Sequence, residues 1–286
     1  MRATPGMTRR CLFPILAGLG MHNGLFAQPR SQWRAGLQLY TVRDLLRADM
    51  NGTLRSIAEI GYREVELAGF ADGSARLMQE RLKHYRLTAP SMHAGYGRLR
   101  GDLDAVLEDA RALGATFIVC PWIDSDQRQT ADDWKAVCQT LNTVGKVARS
   151  HGLTLAYHNH DVEFVPFANG VTPFELMLRQ TDPQDVKVEL DIYWAAKAGI
   201  DPVRCLTENA GRIALVHLKD MAADGAITEL GAGVLPMEQI IRSALSVGVA
   251  HLFVEQDDPP DPLRSIVTSL HFLKRLPPGA RPHSES

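Results

Sequence analysis

The chain has little of what marks the special classes of protein. Four cysteines among 286 residues are too few and too scattered for a disulfide framework. The charges nearly balance, with 31 Lys and Arg against 33 Asp and Glu, and we find no local basic stripe. The sequence therefore offers no attraction to the phosphates of nucleic acid. Glycine and proline contents are ordinary, which disfavours collagen, coiled coil and disorder and leaves a globular chain of one or two domains.

The first residues have the pattern of an export signal rather than of a fold. Arg9 and Arg10 precede a short apolar run that includes Pro14 to Gly20, and Ala27 offers a small residue for cleavage. That run is too short for a permanent membrane span, which needs about 20 residues. We predict that residues 1–27 are a twin-arginine signal peptide and that the mature chain is periplasmic, without membrane contact. The alternative is a disordered N-terminus from a misassigned start.

Signal removal would leave 28 basic against 33 acidic residues, a net charge of −5. Three cysteines would remain, Cys120, Cys138 and Cys205. An odd number of cysteines fits buried thiols better than a disulfide.

After Trp33, short apolar or β-branched runs alternate with amphipathic segments. Eight strands are predicted, at 36–40, 64–67, 88–92, 117–120, 154–157, 186–190, 213–218 and 252–254. Between them apolar residues recur at helical spacing, and Gly61 and Gly114 are among the glycines that stand at helix ends. Eight strand–helix units in about 250 residues predict an α/β fold, a single-domain (β/α)8 TIM barrel over 34–278. No glycine-rich nucleotide-binding loop follows the first strand.

Polar side chains stand at or just after the carboxyl end of nearly every predicted strand, where such barrels carry their chemistry. In chain order they are Gln38 and Tyr40, Glu66, His93, Cys120 and Trp122, His158 to His160, Glu189 and Asp191, His217 with Lys219 and Asp220, and Glu255 to Asp257. A single histidine at a strand end is usually structural. A reactive residue after eight strands in succession indicates a site instead.

Three of these residues have the composition of a metal site. Asp191, His217 and Glu255 come from the ends of three consecutive strands, so their side chains are expected to meet. Mixed oxygen and nitrogen donors suit Mn²⁺, Zn²⁺, Co²⁺ or Fe²⁺. The structural alternative has Asp191 capping the next helix, His217 bonded to a neighbour and Glu255 paired with Lys219.

Several segments together resemble one known family. They are Tyr157-His158-Asn159-His160-Asp161, Glu189-Leu190-Asp191-Ile192-Tyr193-Trp194, His217-Leu218-Lys219-Asp220 and Val254-Glu255-Gln256-Asp257, with the opening Gly36-Leu37-Gln38-Leu39-Tyr40. Their order and spacing are similar to the xylose isomerase-like TIM barrel superfamily. Within it, they resemble the sugar phosphate isomerase/epimerase branch, which includes inosose dehydratases and tagatose-type epimerases. The resemblance extends over about 36–276.

The resemblance implies a divalent metal ion, of Mn, Zn, Co, Fe or Mg, and a homodimer, which is common in the family. The family holds its metal with Glu, Asp, His and Glu after the fifth to eighth strands. Asp191, His217 and Glu255 match the last three positions, whereas the fifth-strand position falls on His158. His158, His160 or Glu163 is therefore the expected fourth ligand.

The implied chemistry is removal of a proton next to a sugar carbonyl, giving an enediolate. Glu255, His158 and His160 are candidate bases, and Lys219 or His93 is a candidate proton donor. Candidate substrate contacts are Gln38, Tyr40, Glu66, His93, Trp122, Glu163 and Trp194. We expect a metal-dependent sugar isomerase or epimerase.

Three other functions are alternatives to a sugar isomerase or epimerase. One is a lyase or hydratase that acts on 3-keto-sugars or 3-keto-glycosides by β-elimination. Another is a non-catalytic sugar-binding barrel. The third, an endonuclease of the same superfamily, is disfavoured by the net charge and by too few residues for three metal ions.

The substrate is expected to be a small sugar or keto-sugar without phosphate. Export argues against sugar phosphates, which are mainly cytoplasmic, and only Arg43 and Lys219 stand out as phosphate partners. The loop from Gly231 to Gly233 offers backbone amides for an anion, although a simple turn is the alternative.

Overall fold

The computed structural model describes residues 33–71 and 73–282. The predicted signal peptide at 1–27 lies outside the described residues. The described strands are β1 Ala35–Gln38, β2 Glu64–Leu67, β3 Thr88–His93, β4 Phe117–Cys120, β5 Thr154–His158, β6 Val186–Asp191, β7 Ile213–Leu218, β8 Asp220–Met221, β9 Ile227–Thr228 and β10 His251–Val254.

Helices connect the strands. They are α1 Arg43–Ala48, α2 Met50–Ile60, α3 Ala75–His84, α4 Tyr96–Gly101, α5 Leu103–Leu113, α6 Ala131–Ser150, α7 Pro173–Gln180, α8 Ile192–Lys197, α9 Pro202–Glu208, α10 Met237–Ser246 and α11 Pro262–Arg275. Gly61 and Gly114 end α2 and α5 in the left-handed conformation, as their positions predicted. Among the described residues, no helix combines the length and the apolar character that a membrane crossing requires.

Eight of the strands close into one parallel barrel, which confirms the predicted fold. Their order around the barrel is β1-β10-β7-β6-β5-β4-β3-β2, so sequential barrel strands are neighbours. β8 and β9 form a separate antiparallel pair in the connection after β7. Because all eight barrel strands run in the same direction, their carboxyl ends meet at one rim of the barrel.

The first strand ends at Gln38, two residues earlier than predicted, so the site residue Tyr40 lies outside it. The side chain of Gln38 accepts a hydrogen bond from the Tyr40 backbone amide at 3.1 Å, which caps a 3₁₀ turn at Leu39–Val42. Tyr40 therefore lies in that turn rather than in a strand. Its side chain is 41% exposed at the rim.

Alternation along the strands places an apolar layer below a polar one inside the barrel. Ala156, Leu215 and Phe253 belong to a small buried cluster separate from the main core. Each stands two residues before a polar residue of the same strand or its end, so both side chains face the same way. The polar partners are His158, His217 and Glu255, which therefore lie one layer nearer the carboxyl rim.

Candidate metal centre and catalytic site

Asp191, His217 and Glu255 meet at the carboxyl rim, and we call them the donor triad. Each offers one donor atom, and these atoms all lie within 4.8 Å of one another. The Nδ1 atom of His217 is 2.7 Å from Glu255 Oε2. Asp191 ends β6 and caps α8, since its Oδ1 accepts from the backbone amides of Tyr193 and Trp194. Its buried Oδ2 takes no part in the cap and lies 2.9 Å from the ammonium nitrogen of Lys219.

The ammonium group of Lys219 lies among carboxylates beside the triad. Its Nζ is 2.9 Å from Asp191 Oδ2, 2.9 Å from Glu255 Oε2 and 2.7 Å from Asp257 Oδ1. Burial alone would lower the pKa of Lys219, but the carboxylates outweigh it and hold that pKa well above its usual value. Lys219 thus stays charged at neutral pH.

The charge of this cluster fits a divalent cation. Against the effect of burial, neighbouring carboxylates hold the pKa of His217 well above its usual value, but a histidine that binds a metal ion is neutral. With His217 neutral, three carboxylates and one ammonium leave a formal charge of −2, which one divalent ion would neutralise. Burial raises the pKa of Asp191 even though Lys219 and His217 act in the opposite direction, so the positive charge already beside that carboxylate does not fully offset its burial. The oxygen and nitrogen donors of the triad suit the metals named from the sequence.

A second layer of polar groups, the inner network, lies behind the triad. It consists of Glu66, His93, His158 and Glu189 with the Nε2 side of His217. Glu189 Oε2 lies 3.1 Å from His93 Nε2, 3.0 Å from His158 Nδ1 and 3.1 Å from His217 Nε2. Glu66 Oε2 is 2.6 Å from His217 Nε2.

These contacts shift the pKa of each carboxylate and of His93. Burial opposes the charged form of His93, but Glu66 and Glu189 raise its pKa to about 9. Burial also opposes the carboxylate of Glu189, yet its charged neighbours lower the pKa to about 2. The histidines hold the pKa of Glu66 well below its usual range, against the effect of burial.

Gln38 and Glu66 lie in a different place from the one predicted. Both were expected to contact substrate, but both side chains are fully buried. Gln38 Nε2 donates to Glu66 Oε2 at 2.8 Å, and the hydroxyl of Ser91 donates to Glu66 Oε1. These hydrogen bonds hold both side chains inside the barrel, below its rim. There Gln38 contacts His93 and Glu66 contacts His217, and neither lines the cavity.

The two histidines after β5 are uncharged. His158 Nε2 is 3.9 Å from Asp191 Oδ2, while its Nδ1 belongs to the inner network. Burial lowers the pKa of His158 well below its usual value and lowers that of His160 to about 3. The ring of His160 packs edge-on against Trp122, with ring centroids 4.9 Å apart. Neither histidine has a donor atom within 4.8 Å of all three triad donors, so the structure by itself does not add a fourth member.

Glu163 does not take the place predicted for it. Its fully buried carboxylate accepts from the Tyr157 hydroxyl at 2.8 Å and from the His160 backbone amide at 2.6 Å. Both oxygens are therefore committed to its own loop, and Glu163 neither joins the triad nor lines the cavity. Its position supports the turn that carries His160.

A cavity of about 480 Å³ opens above the triad. The predicted site residues that line it are Tyr40, His93, Trp122, His158, His160, Lys219 and Glu255. Trp194 stands behind His160, with ring centroids 5.4 Å apart, and Lys197 Nζ lies 4.4 Å from its ring. Trp194 was expected to contact substrate, and the structure places it one layer back from the cavity.

The glycine loop after β9 is not an open cradle for an anion. The backbone amides of Gly231 and Gly233 donate to Asp220 Oδ2 at 2.9 and 3.2 Å. A Cβ atom at Gly233 would lie 2.3 Å from Asp220 Oδ1, so the close approach requires glycine there. The loop is thus a turn closed by the carboxylate of Asp220.

The sequence pattern marks Glu189 and Asp257 as polar residues at strand ends and assigns no role to either. Glu189 stands two residues before Asp191, and Asp257 two residues after Glu255. Side chains two residues apart on a strand face the same way, so Glu189 shares the inward face of β6 with Asp191. This spacing is the sequence signal that could have identified Glu189 as a site residue. Asp257 follows the end of β10, where no strand period applies.

Comparison with known proteins places the chain in a family. Residues 54–276 match the family model described as xylose isomerase-like TIM barrel. The chain therefore belongs to the xylose isomerase-like TIM barrel family, which confirms the resemblance found in its motifs.

The chain is also similar to individual proteins of known sequence or structure. The chain is 28% identical over 202 residues to an inosose dehydratase of Mesomycoplasma hyopneumoniae (strain 7448), covering 63% of this chain and 64% of the relative. It thus spans slightly less than two thirds of that protein. Two solved structures from Parabacteroides distasonis ATCC 8503, each described as a sugar phosphate isomerase/epimerase, are also similar. One has a TM-score of 0.75 at 23% identity, covering 88% of this chain and 96% of that chain. The other has 0.74 at 25%, covering 85% and 98%.

Proposed function

We propose that this protein is a divalent-metal-dependent enzyme that removes the proton next to the carbonyl group of a sugar or keto-sugar, as an isomerase or epimerase. The observation that carries this proposal is the donor triad, whose three donor atoms lie within 4.8 Å of one another at the carboxyl rim, with Glu255 lining the cavity. The family and the names of its relatives support the same class of reaction.

Asp191, His217 and Glu255 would hold the metal ion. We propose His158 as the fourth ligand because its Nε2 is 3.9 Å from Asp191 Oδ2. A divalent ion at this position would polarise the substrate carbonyl and acidify the adjacent carbon-bound proton.

The protonation states suggest a role for each residue at the cavity. Glu255 has a pKa well below its usual range because Lys219 and His217 outweigh the effect of burial, so it is ionised and able to accept a proton. His158 and His160 are uncharged and are the alternative bases. Lys219 keeps its proton, so we assign it to neutralising the negative charge of the enediolate rather than to proton transfer.

One observation favours β-elimination as a second candidate. The fifth strand ends in His158 where the epimerases of the family have a glutamate, so a second carboxylate to return the proton is missing there. An imidazole with a low pKa becomes a strong acid once it has taken a proton from carbon. It can then protonate a departing oxygen, as a dehydratase or lyase requires, and a curated relative is named inosose dehydratase.

We further propose a substrate without phosphate. Arg43 donates to the backbone oxygens of Tyr40 and Asp257 and pairs with Asp258. Lys219 is shared by three carboxylates. The two cations that the sequence offered to a phosphate are thus already engaged.

Incubation in deuterated water tests the reaction class. The protein, loaded with Mn²⁺, is mixed with free hexoses, 3-keto-hexoses and 3-keto-glycosides, and products are followed by NMR and mass spectrometry. An isomer or epimer carrying deuterium supports the first candidate, while an enone or a released aglycone supports elimination. Metal-independent sugar binding without carbon–hydrogen exchange would instead indicate a non-catalytic sugar-binding barrel and contradict both.

A variant of Glu255 tests whether this residue of the triad acts as the base. Glu255→Gln is expected to lower turnover by about 10²- to 10⁴-fold, the usual contribution of a general base. Glu238→Gln is the matched control, since Glu238 pairs with Arg242 on an exposed helix face. Equal activity of Glu255→Gln and wild type would exclude Glu255 as the base.

Export to the periplasm remains a proposal based on residues 1–27. Replacement of Arg9 and Arg10 by lysine is expected to retain the protein in the cytoplasmic fraction if the twin-arginine pathway exports it. Cell fractionation of both forms measures this directly.

A further inference from the structure

We infer that Glu189 is a positioning residue that sets which nitrogen atoms of three histidines face the cavity and the donor triad. The inference rests on the proposed function, because it explains how His158 and His217 would present their ligand atoms. It adds a residue that is neither a proposed metal ligand nor a cavity-lining group.

The geometry around Glu189 is unusual for one carboxylate oxygen. Oε2 lies 3.0–3.1 Å from a nitrogen of each of His93, His158 and His217. The side chain is completely buried, and its other oxygen, Oε1, has no hydrogen-bond partner. Among the described residues, the hydrogen-bonding partners of this carboxylate are therefore these three histidine rings.

A carboxylate accepts hydrogen bonds and does not donate them when ionised. The nitrogen that faces it must carry a hydrogen, because two lone pairs at hydrogen-bond distance would repel each other. His158 therefore holds its hydrogen on Nδ1, toward Glu189. Its Nε2 is left with a lone pair, and this atom is the one 3.9 Å from Asp191 Oδ2.

His217 is oriented in the same way. Its Nε2 faces Glu66 at 2.6 Å and Glu189 at 3.1 Å, so the ring turns Nδ1 toward Glu255 and the triad. His93 also directs Nε2 inward to Glu189. A carboxylate behind a ligating histidine fixes the ring and strengthens it as a ligand, and loss of such a carboxylate costs about 10- to 100-fold in metal affinity.

The alternative interpretation of the same residues is a second metal position. One atom from each of His93, His158, Glu189 and His217 lies within 4.8 Å of the others. The contact of Glu66 with His217 Nε2 at 2.6 Å argues against it, since an ion there would have to displace this hydrogen bond to a carboxylate outside the group, whereas Nδ1 faces Glu255, which is itself a proposed ligand. The number of bound ions distinguishes the two interpretations.

Metal binding by Glu189→Gln is the first test. Titration with Co²⁺, followed by its visible absorption, is expected to show one bound ion in the wild type and an affinity about 10- to 100-fold lower in the variant. Glu64→Gln is the matched control, because Glu64 makes the same kind of bond, to His251 Nδ1 at 2.8 Å, at the other end of the barrel. Unchanged affinity in Glu189→Gln, or two ions in wild type and one in the variant, would overturn the inference.

A second measurement does not depend on metal. In wild-type protein treated with chelator, ¹⁵N NMR of the histidine rings is expected to show a hydrogen on Nδ1 of His158, the nitrogen 3.0 Å from Glu189 Oε2. Glu189→Gln should change the ring signals of His93, His158 and His217 but not those of His251, and Glu64→Gln should do the reverse. A wild-type His158 without a hydrogen on Nδ1 would refute the inference, even if the variant fails to fold.

The two tests distinguish a failure of the proposed metal dependence from a failure of the role inferred for Glu189. A wild-type protein that binds no divalent ion, with the expected NMR signals, contradicts the proposed metal dependence and leaves Glu189 as the residue that orients the histidines. A protein that binds one ion equally well with and without the Glu189 carboxylate supports the proposed function and contradicts the inference.

Discussion

The ammonium nitrogen of Lys219 lies 2.9 Å from Asp191 Oδ2, in a part of the barrel where both side chains are almost completely buried. Glu255 and Asp257 contact the same nitrogen. Lys219 is therefore the internal counter-ion of the candidate metal centre, and its removal would leave three carboxylates facing one another.

We predict that Lys219→Met destabilises the protein by about 3–5 kcal/mol when metal is absent, because breaking a buried ion pair leaves uncompensated charge. Urea denaturation in the presence of chelator measures the change. Lys197→Met is the control, since Lys197 makes a half-exposed pair with Asp161 at 3.8 Å, and about 1 kcal/mol or less is expected there. Equal effects of the two substitutions would contradict the role given to Lys219.

Asp191→Asn is expected to abolish stabilisation by Mn²⁺ while keeping the cap of α8. The amide oxygen can still accept from Tyr193 and Trp194, but the charge on the second oxygen is lost. At an ion concentration 100 times Kd, the wild type should gain about 2.7 kcal/mol. Denaturation with and without Mn²⁺ compares the two.

Asp201→Asn controls for the helix cap in that experiment. Asp201 begins α9 in the same way, through the amides of Val203 and Arg204, and it is exposed. This variant should keep the full response to Mn²⁺. If Asp191→Asn also keeps it, the triad is not the metal site.

Stability should depend on pH through His93. Its pKa is about 9 in the folded protein and about 6.5 in an unfolded chain, so the folded state binds the proton more tightly. The stabilisation is complete below about pH 6.5 and is lost as the pH rises toward 9, by up to about 3 kcal/mol.

His93→Gln removes that proton and should flatten this part of the profile. Urea denaturation at pH 6, 7.5 and 9, with chelator, compares the variant with wild type. Parallel losses of stability in both proteins over this range would show that His93 is not the group responsible.

Asp220→Asn is predicted to destabilise the loop between β7 and α10. Asp220 accepts hydrogen bonds from the amides of Met221, Gly231, Gly233 and Leu235. An asparagine can accept with one oxygen only, so its NH₂ group would face two amide donors. Each unsatisfied buried donor costs about 1–3 kcal/mol.

Hydrogen exchange of residues 220–235 and urea denaturation measure this effect. Asp224→Asn serves as control, because Asp224 is exposed and accepts only from the Ala226 amide. Fast exchange confined to this loop in Asp220→Asn, and normal exchange in Asp224→Asn, is the expected result. Normal exchange in both would mean that the Asp220 contacts contribute little.

The fold followed from the sequence more completely than the site did. The predicted strands at 64–67, 117–120 and 213–218 have the bounds of β2, β4 and β7. Strands of a parallel barrel are covered on both sides, so apolar residues dominate them, most clearly in Phe117–Cys120, and a single sequence reveals them. The predicted first strand extends too far because the hydrogen bond that the Tyr40 amide donates to the Gln38 side chain ends the strand without any apolar signature.

Within the site, the sequence was sufficient for the donor triad, because residues at the ends of neighbouring parallel strands must converge. It did not separate the residues that line the cavity from those behind them. Glu163 and Glu66 each have both oxygens bound by other side chains or by the backbone. Such pairings depend on side-chain conformations and on contacts between residues far apart in the chain.

The amino-acid sequence alone determined the eight-stranded barrel and the convergence of Asp191, His217 and Glu255 at its rim, since strand periodicity and chain direction are local properties. Only the tertiary structure decided that Glu189 gathers three histidines and that Lys219 stays charged among carboxylates. Those features arise from burial and from distances between separate strands, which set protonation and orientation and which no local pattern encodes.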